Sequence, residues 1–303
     1  MAITLFTNSS AMSASNALQK ANTTLASAME HLGTGKRITK ASDDAAGLQV
    51  ATRLQGQTNG MAVAQRNIAD ASTMLQTGEG AMDEVSNIMY RMKDLATQGA
   101  TDTNTADSRK AIDTEMDSLK TELSSIMGNT SYAGSKLFSD TKDATGTVTS
   151  KAKMGDAMTF QTGSESGETT KVDVSAQLKN VFSSIDTLST ASVQDTAADA
   201  TNNKPAVSGT ANANAMIDTL NTALDNVSSL RSSFGASING LSHAAANLTN
   251  MKDNTDQALG NIQDADFASE ASKMTRSQML AQTSTSMLKQ SNSMSSLVMS
   301  ILG

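Results

Sequence analysis

The chain reads as a mainly α protein: a long coiled-coil helix bundle formed by its N- and C-terminal segments, with a small β-hairpin region in the middle. Three observations lead there. Apolar residues recur at alternating steps of three and four along both ends of the 303 residues. That period is lost beyond Ser139 and returns at Ile217. With no Cys, no Trp, one Pro (Pro205) and 3 % aromatic residues, the side chains suit helices packed along narrow seams rather than a broad aromatic core.

The first seam runs Ala11, Ala14, Leu18, Ala21, Leu25, Ala28, Leu32 and stops at the GTGK turn, Gly33 to Lys36, where two glycines make further helix costly. Ser42, Asp43 and Asp44 then offer N-cap oxygens and favourable charge for a second helix. Its seam is Val50, Leu54, Met61, Ala64, Ile68, Ala71, Leu75, Gly78, Met82, Val85, Met89, Met92 and Ala96, with Gln57 as a polar member. At ~1.5 Å per residue that span is roughly 70 Å long, more than a small compact domain uses. Ile112, Met116, Leu119, Leu123 and Ile126 predict a third helix, closed by Gly128 and Asn129. In the middle, MTFQTG and TTKVDV flank the turn-forming SESGE as a hairpin, and Leu178, Val181, Ile185 and Leu188 allow a short helix. From about Thr190 to Asn214 an aperiodic stretch rich in Ala, Thr, Asn and Asp reads as an exposed loop. Heptads resume at Ile217, Leu220, Leu224, Val227, Phe234, Ile238, Leu241, Ala245 and Leu248, where Arg231 falls on the seam phase and must snorkel or pair. Two columns at strict sevens end the chain: Phe267, Met274, Ala281, Leu288, and Leu280, Met287, Met294, Ile301.

These properties exclude several function classes. An enzyme is not expected, and no cofactor or metal is called for, because with no Cys, no Trp and two His few groups are left for nucleophilic, metal or redox chemistry. A net charge of −7 leaves no basic stripe for nucleic acid. No stretch approaches the ~18 apolar residues of a membrane span, and MAITLFTNSSA lacks the basic and apolar regions of a secretory signal. Asp43 and Asp44 are adjacent, so they do not share a helix face and read as caps rather than an acid/base pair. His31 and His243 have no ligand partner at helical spacing and read as isolated exposed histidines. Met82, Met89 and Met92 fall on the seam and read as core.

Long helices from the two ends can bury their seams only against one another. The outermost seams, rich in Ala, Ser and Met, bury little by themselves, so the terminal helices are expected to be labile in a free monomer and to order among many copies. Periodicity alone establishes coiled-coil association and no more.

About the first 138 and the last 90 positions resemble the bacterial flagellin family. The carriers are LGTGKRITKASDDAAGLQVATRL, AQRNIADASTMLQTGEGAMDEVSNIMYRMKDLATQGA and NTSYAGSKLF near the start, QTGSESGETTKVDV in the middle, and IQDADFASEASKMTRSQMLAQTSTSMLKQSN at the end. The resemblance implies an N-terminal inner-tube helix and turn (1–42), outer-tube helices (43–138), a hairpin, short helix and exposed loop (139–214), a C-terminal outer-tube helix (215–257) and a C-terminal inner-tube helix (258–303). It implies a secreted, extracellular subunit of the flagellar filament that polymerises with itself. The further partners it implies are the flagellar type III export apparatus, an export chaperone, and the hook-associated and filament cap proteins. On that reading the subunit interface draws on Leu18, Leu25, Leu32, Leu280, Met287, Met294, Val298, Ile301 and Leu302. Arg91, Leu95 and Glu115 match positions with which the family contacts the host toll-like flagellin receptor, and Leu119 stands where strongly recognised relatives carry Arg. The alternative is the hook–filament junction protein, which shares a TGKR-like turn and a paired Asp motif; DDAAG and SKMTRSQML favour the filament subunit.

Overall fold

The computed structural model describes residues 8–139, 141–142, 148–194 and 208–302, without the side chains of 141–142, 148–150 and 295–302. Among them are six helices: α1 (Ser9–Thr34), α2 (Ala45–Gly99), α3 (Ala106–Asn129), α4 (Ser175–Thr190), α5 (Gly209–Gln263) and α6 (Phe267–Leu302). Three two-stranded antiparallel ladders lie between α3 and α4: β1 (Ser131–Tyr132) with β2 (Ser135–Lys136), β3 (Thr141–Lys142) with β4 (Val148–Ser150), and β5 (Met158–Gln161) with β6 (Thr169–Val172). The mainly helical reading therefore holds, and β5–β6 is the hairpin expected around SESGE, with Met158 opposite Val172 and Phe160 opposite Thr170.

The chain divides into two compact units, one formed by residues up to Thr58 and from Lys252 onward, the other by Asn59–Met251. The second holds a core rich in methionine. α2 contributes Leu75, Met82, Val85, Met89 and Met92, α3 contributes Met116 and Leu123, α4 contributes Val181 and Leu188, and α5 contributes Met216, Leu220, Val227 and Phe234. Each such side chain removed from water stabilises the fold by ~1.5–3 kcal/mol, and flexible thioethers fill the irregular gaps where aromatic residues are scarce. Gly78 belongs to this seam because a Cβ there would stand 3.1 Å from Met154 Cε and 3.5 Å from Phe234 Cζ. Arg231 behaves as its seam position requires: half-buried, it reaches Asp83 at 2.9 Å and Glu79 at 3.4 Å. The β1–β2 turn places Ala133 and Gly134 at φ 49° and 78°, the double left-handed requirement of a tight two-residue hairpin.

Several expectations need correction. Val50 is exposed, and the buried positions beside it are Ala51 and Thr58, so small residues carry the seam where apolar bulk suggests otherwise. Gly33 is helical; only Gly35 leaves the helix, with φ 71° and its N–H donated to His31 O at 2.8 Å. The stretch Thr190 to Asn214 is not wholly an exposed loop: Val193 is fully buried and Gly209–Asn214 is the first turn and a half of α5. Its central part, 195–207, lies outside the described residues. The flanks are held by two buried charges that the sequence reading missed. Asp113 accepts from Ser192 Oγ at 3.0 Å, Val193 N at 3.2 Å and Gln194 Nε2 at 2.7 Å. Arg109 donates to Gly99 O at 3.3 Å, Thr101 O at 3.2 Å and Thr210 Oγ1 at 2.9 Å. Neither residue interrupts the apolar period of α3, so only their chemistry, not the pattern, could have marked them. The C-terminal heptads are likewise broken, at Asp264–Asp266, where Asp266 Oδ1 caps α6 by accepting from Ala268 N at 3.0 Å.

Candidate functional site

The paired terminal helices present the surface most suited to function. α1 opens on Asn8, whose Oδ1 accepts from Ala11 N at 3.1 Å while its Nδ2 donates to Ser291 Oγ at 2.8 Å. At the other end of the pair His31 lies 3.8 Å from Glu270, so α1 and α6 pack antiparallel. Of α1, Ala21 and Ala28 are buried, and Ala11, Ala14, Leu18, Leu25 and Leu32 are half-buried along the same stripe, as the period predicts. α6 departs from expectation. Its buried column is Glu270, Ser277 and Ser284, flanked by the half-buried Met274, Ala281 and Leu288, whereas Phe267 is exposed. An apolar template misses this column because two of its members are small hydroxyl residues and one is charged. The signal available was the strict seven-residue spacing, continued by Ser291.

A polar cluster secures the end of the pair. Asp43 Oδ2 accepts from Thr39 N at 3.0 Å and Lys40 N at 2.9 Å. Those N–H bonds, Thr39 first, hold its carboxyl below the ordinary carboxylate value, with the Thr39 hydroxyl and His31 adding to the effect. Asp44 Oδ1 caps α2 by accepting from Gly47 N at 2.9 Å, which bears out the capping role. His31 is not an isolated exposed histidine. It lies largely covered between Asp43 at 3.9 Å and Glu270 at 3.8 Å, and Glu270 also takes Lys273 Nζ at 2.7 Å. His243 is exposed. The turn is fastened to the α5–α6 break by Arg37 N donating to Gln263 O at 2.6 Å, Arg37 Nη2 to Ile262 O at 2.8 Å and Ala265 N to Gly35 O at 2.9 Å.

The interface residues named from sequence therefore separate. Leu18, Leu25 and Leu32 sit on the stripe that meets α6 of the same chain. Leu280, Met287 and Met294 are bare, at 52 %, 62 % and 60 % exposure. Val298, Ile301 and Leu302 continue α6, and their side chains lie outside the described residues. Met12 and Met29 on α1 are exposed too. Between the helices a groove of about 500 Å³ is lined by Ser9, Ser13, Ala17, Leu280, Thr283 and Met287. So many large apolar side chains bared along one helix pair mark an interaction surface rather than a finished exterior.

In the other unit, Arg91 and Glu115 are exposed and bind each other, with Nη2 2.6 Å and Nε 3.1 Å from one carboxylate oxygen. Leu95 does not share their face. It is 3 % exposed and belongs to the core, because the α2 surface that faces α3 and α5 is wide enough to take in positions 95 and 96 together.

Among the described residues no helix is long and apolar enough to cross a membrane, and no group of three His, Cys, Asp or Glu is placed to hold a metal ion. Residues 5–143 match the profile of the bacterial flagellin N-terminal helical region, and residues 217–302 that of the bacterial flagellin C-terminal helical region. Over the full length of both chains the protein is 33 % identical to polar flagellin F of Vibrio parahaemolyticus and 32 % identical to flagellin A of Vibrio anguillarum. A flagellar hook-associated protein of Vibrio parahaemolyticus has a similar fold, with a TM-score of 0.56 and 24 % identity over 73 % of this chain and 100 % of that one. Matches at both helical ends, joined by full-length identity to flagellins, leave one conclusion: the chain belongs to the bacterial flagellin family.

Proposed function

We propose that the protein is the structural subunit of a flagellar filament and assembles through the outer faces of α1 and α6. The observation that carries this is the bare column Leu280, Met287, Met294 on a helix whose other side is already occupied by α1. Full-length identity to flagellins favours the filament subunit over the hook–filament junction protein. The inner tube would then be built from 1–42 and 258–303, the outer tube from 43–138 and 215–257. The subunit works without catalysis, is exported unfolded through the flagellar apparatus with a chaperone, and ends outside the cell beside the hook-associated and cap proteins.

Deleting the residues after Met287 tests the interface. The deletion removes Met294, Val298, Ile301 and Leu302, which at ~1.5–3 kcal/mol each would stabilise every subunit contact by several kcal/mol. Negative-stain microscopy of the concentrated full chain should show long filaments and of the truncated chain none, with the circular-dichroism helix signal of the Asn59–Met251 unit kept. Long filaments from the truncated chain would falsify the assignment; a full chain that does not extend by itself would favour the junction protein. Recognition by the host toll-like receptor is proposed for the exposed Arg91–Glu115 pair. Arg91→Ala should weaken receptor signalling at unchanged monomer helicity, and equal signalling by both proteins would remove Arg91 from the contact.

A further inference from the structure

Two groups of methionines stand at opposite extremes of exposure, with Met158 and Met274 half-buried between them. Met82, Met89, Met92, Met116 and Met154 have no exposed surface, and Met61, Met127 and Met216 are at most 3 % exposed. Met12, Met29, Met251, Met279, Met287 and Met294 stand at 43 % or more. Five of these six lie on α1 and α6. A thioether is oxidised where an oxidant can reach its sulfur, so the folded core is protected and the terminal helix pair is not. Position decides the consequence. Met287 lines the groove between α1 and α6, and Met294 follows it at seven residues in the same bare column.

We propose that Met287 and Met294 form an oxidation site that controls self-association of this chain, the oxidant being a hydroperoxide. The proposal rests on the reading that this face of α6 is a subunit contact. The sulfur lone pair attacks the outer peroxide oxygen, an S–O bond forms as the O–O bond breaks, and sulfur gives up two electrons. The remaining oxygen takes the proton of the transferred one and leaves as water or an alcohol. The resulting sulfoxide is polar and chiral, an acceptor that needs a donor wherever it is buried. Placed between packed helices it blocks the contact, while the buried residues of the seam within the chain, Ala21, Ala28, Ser277 and Ser284, carry no sulfur and the Met274 that flanks them is half-buried. Assembly, not folding, is therefore the oxidant-sensitive step, and a sulfoxide reductase reverses it.

The test oxidises full-length monomer with dilute hydrogen peroxide, maps the peptides by mass spectrometry and measures the concentration at which filaments form. One added oxygen is expected on Met287 and on Met294, none on Met82 or Met116, with an unchanged helix signal and a filament-forming concentration raised at least about tenfold. The double variant Met287→Leu/Met294→Leu keeps apolar volume but has no sulfur to oxidise at the contact, so its own filament-forming concentration, whatever its value before treatment, should not move on exposure to peroxide. Preformed filaments supply a measurement independent of any variant: both sulfurs should be shielded there. Oxidised wild type that assembles at the ordinary concentration overturns the proposal. So does a double variant that loses assembly on oxidation as wild type does, which would move the site to Met12, Met29 or Met279, and so does oxidation of Met287 and Met294 in filaments at the monomer rate. An untreated wild-type chain that never assembles would instead refute the filament reading itself.

Discussion

Gly33 and Gly35 stand two residues apart and play opposite parts. Gly33 completes the last turn of α1 with open space around it, whereas Gly35 takes the left-handed cap that ends the helix. Gly33→Ala should stabilise the protein by up to ~1 kcal/mol, and Gly35→Ala should cost roughly 1–2 kcal/mol although its Cβ would meet nothing. Chemical unfolding of the two variants, followed by helix signal, should show shifts of opposite sign. Shifts of the same sign would show that the cap does not govern the turn. At this scale the sequence is legible where a residue acts on its immediate neighbours: the cap at Asp44 and the need of Arg231 for a partner follow directly from residue type and place, whereas Asp43, read as a cap as well, turns back to the N–H groups of Thr39 and Lys40 and closes the turn instead. It is not legible where the deciding neighbour comes from elsewhere in the chain. His31 is covered by Glu270, which lies 239 positions away and which no local pattern near His31 announces. Leu95 has the spacing of an exposed neighbour of Arg91, yet the breadth of the packed face claims it for the core.

Among the elements, α2 to α5 follow their apolar periods closely because each meets more than one partner, so large side chains are needed to fill the space between them. The α1–α6 pair obeys a different rule. Only two helices meet, small residues let them approach, and bulky residues are left outside, so the column read as seam from its size, Leu280 to Met294, is the bare one. The ends of the 195–207 segment show a further limit, since they are fixed by hydrogen bonds to charges on α3 and not by any period of their own. Asp113→Ala should remove the acceptor for three donors at once, one of them the buried Val193 N–H. The expected cost is about 2–3 kcal/mol, read from denaturant unfolding of the full chain. Asp113→Asn, which can still accept, should lose less. Equal losses would mean that shape rather than acceptor capacity holds the segment.

For the whole molecule, the unit spanning Asn59–Met251 owns the large methionine core, while the unit built from both ends buries chiefly Ala and Ser between its helices. Limited proteolysis of the monomer should therefore trim α1 and α6 first and leave a resistant fragment that contains the Met82 to Phe234 core. Survival of the intact chain under conditions that cleave its ends in a denaturant-softened sample would show the terminal pair to be as firm as the core. The antiparallel register of that pair has a consequence in time rather than in energy. Asn8 meets Ser291 across 283 positions, the longest loop the fold closes through a described side-chain contact. Such a closure is slow and cannot begin until the last helix exists. A chain emerging from its N-terminus must hold α1 unpaired until α6 is free to meet it. The pairing of α1 with α6 is thus among the last contacts the fold can make, because its two halves lie so far apart along the chain.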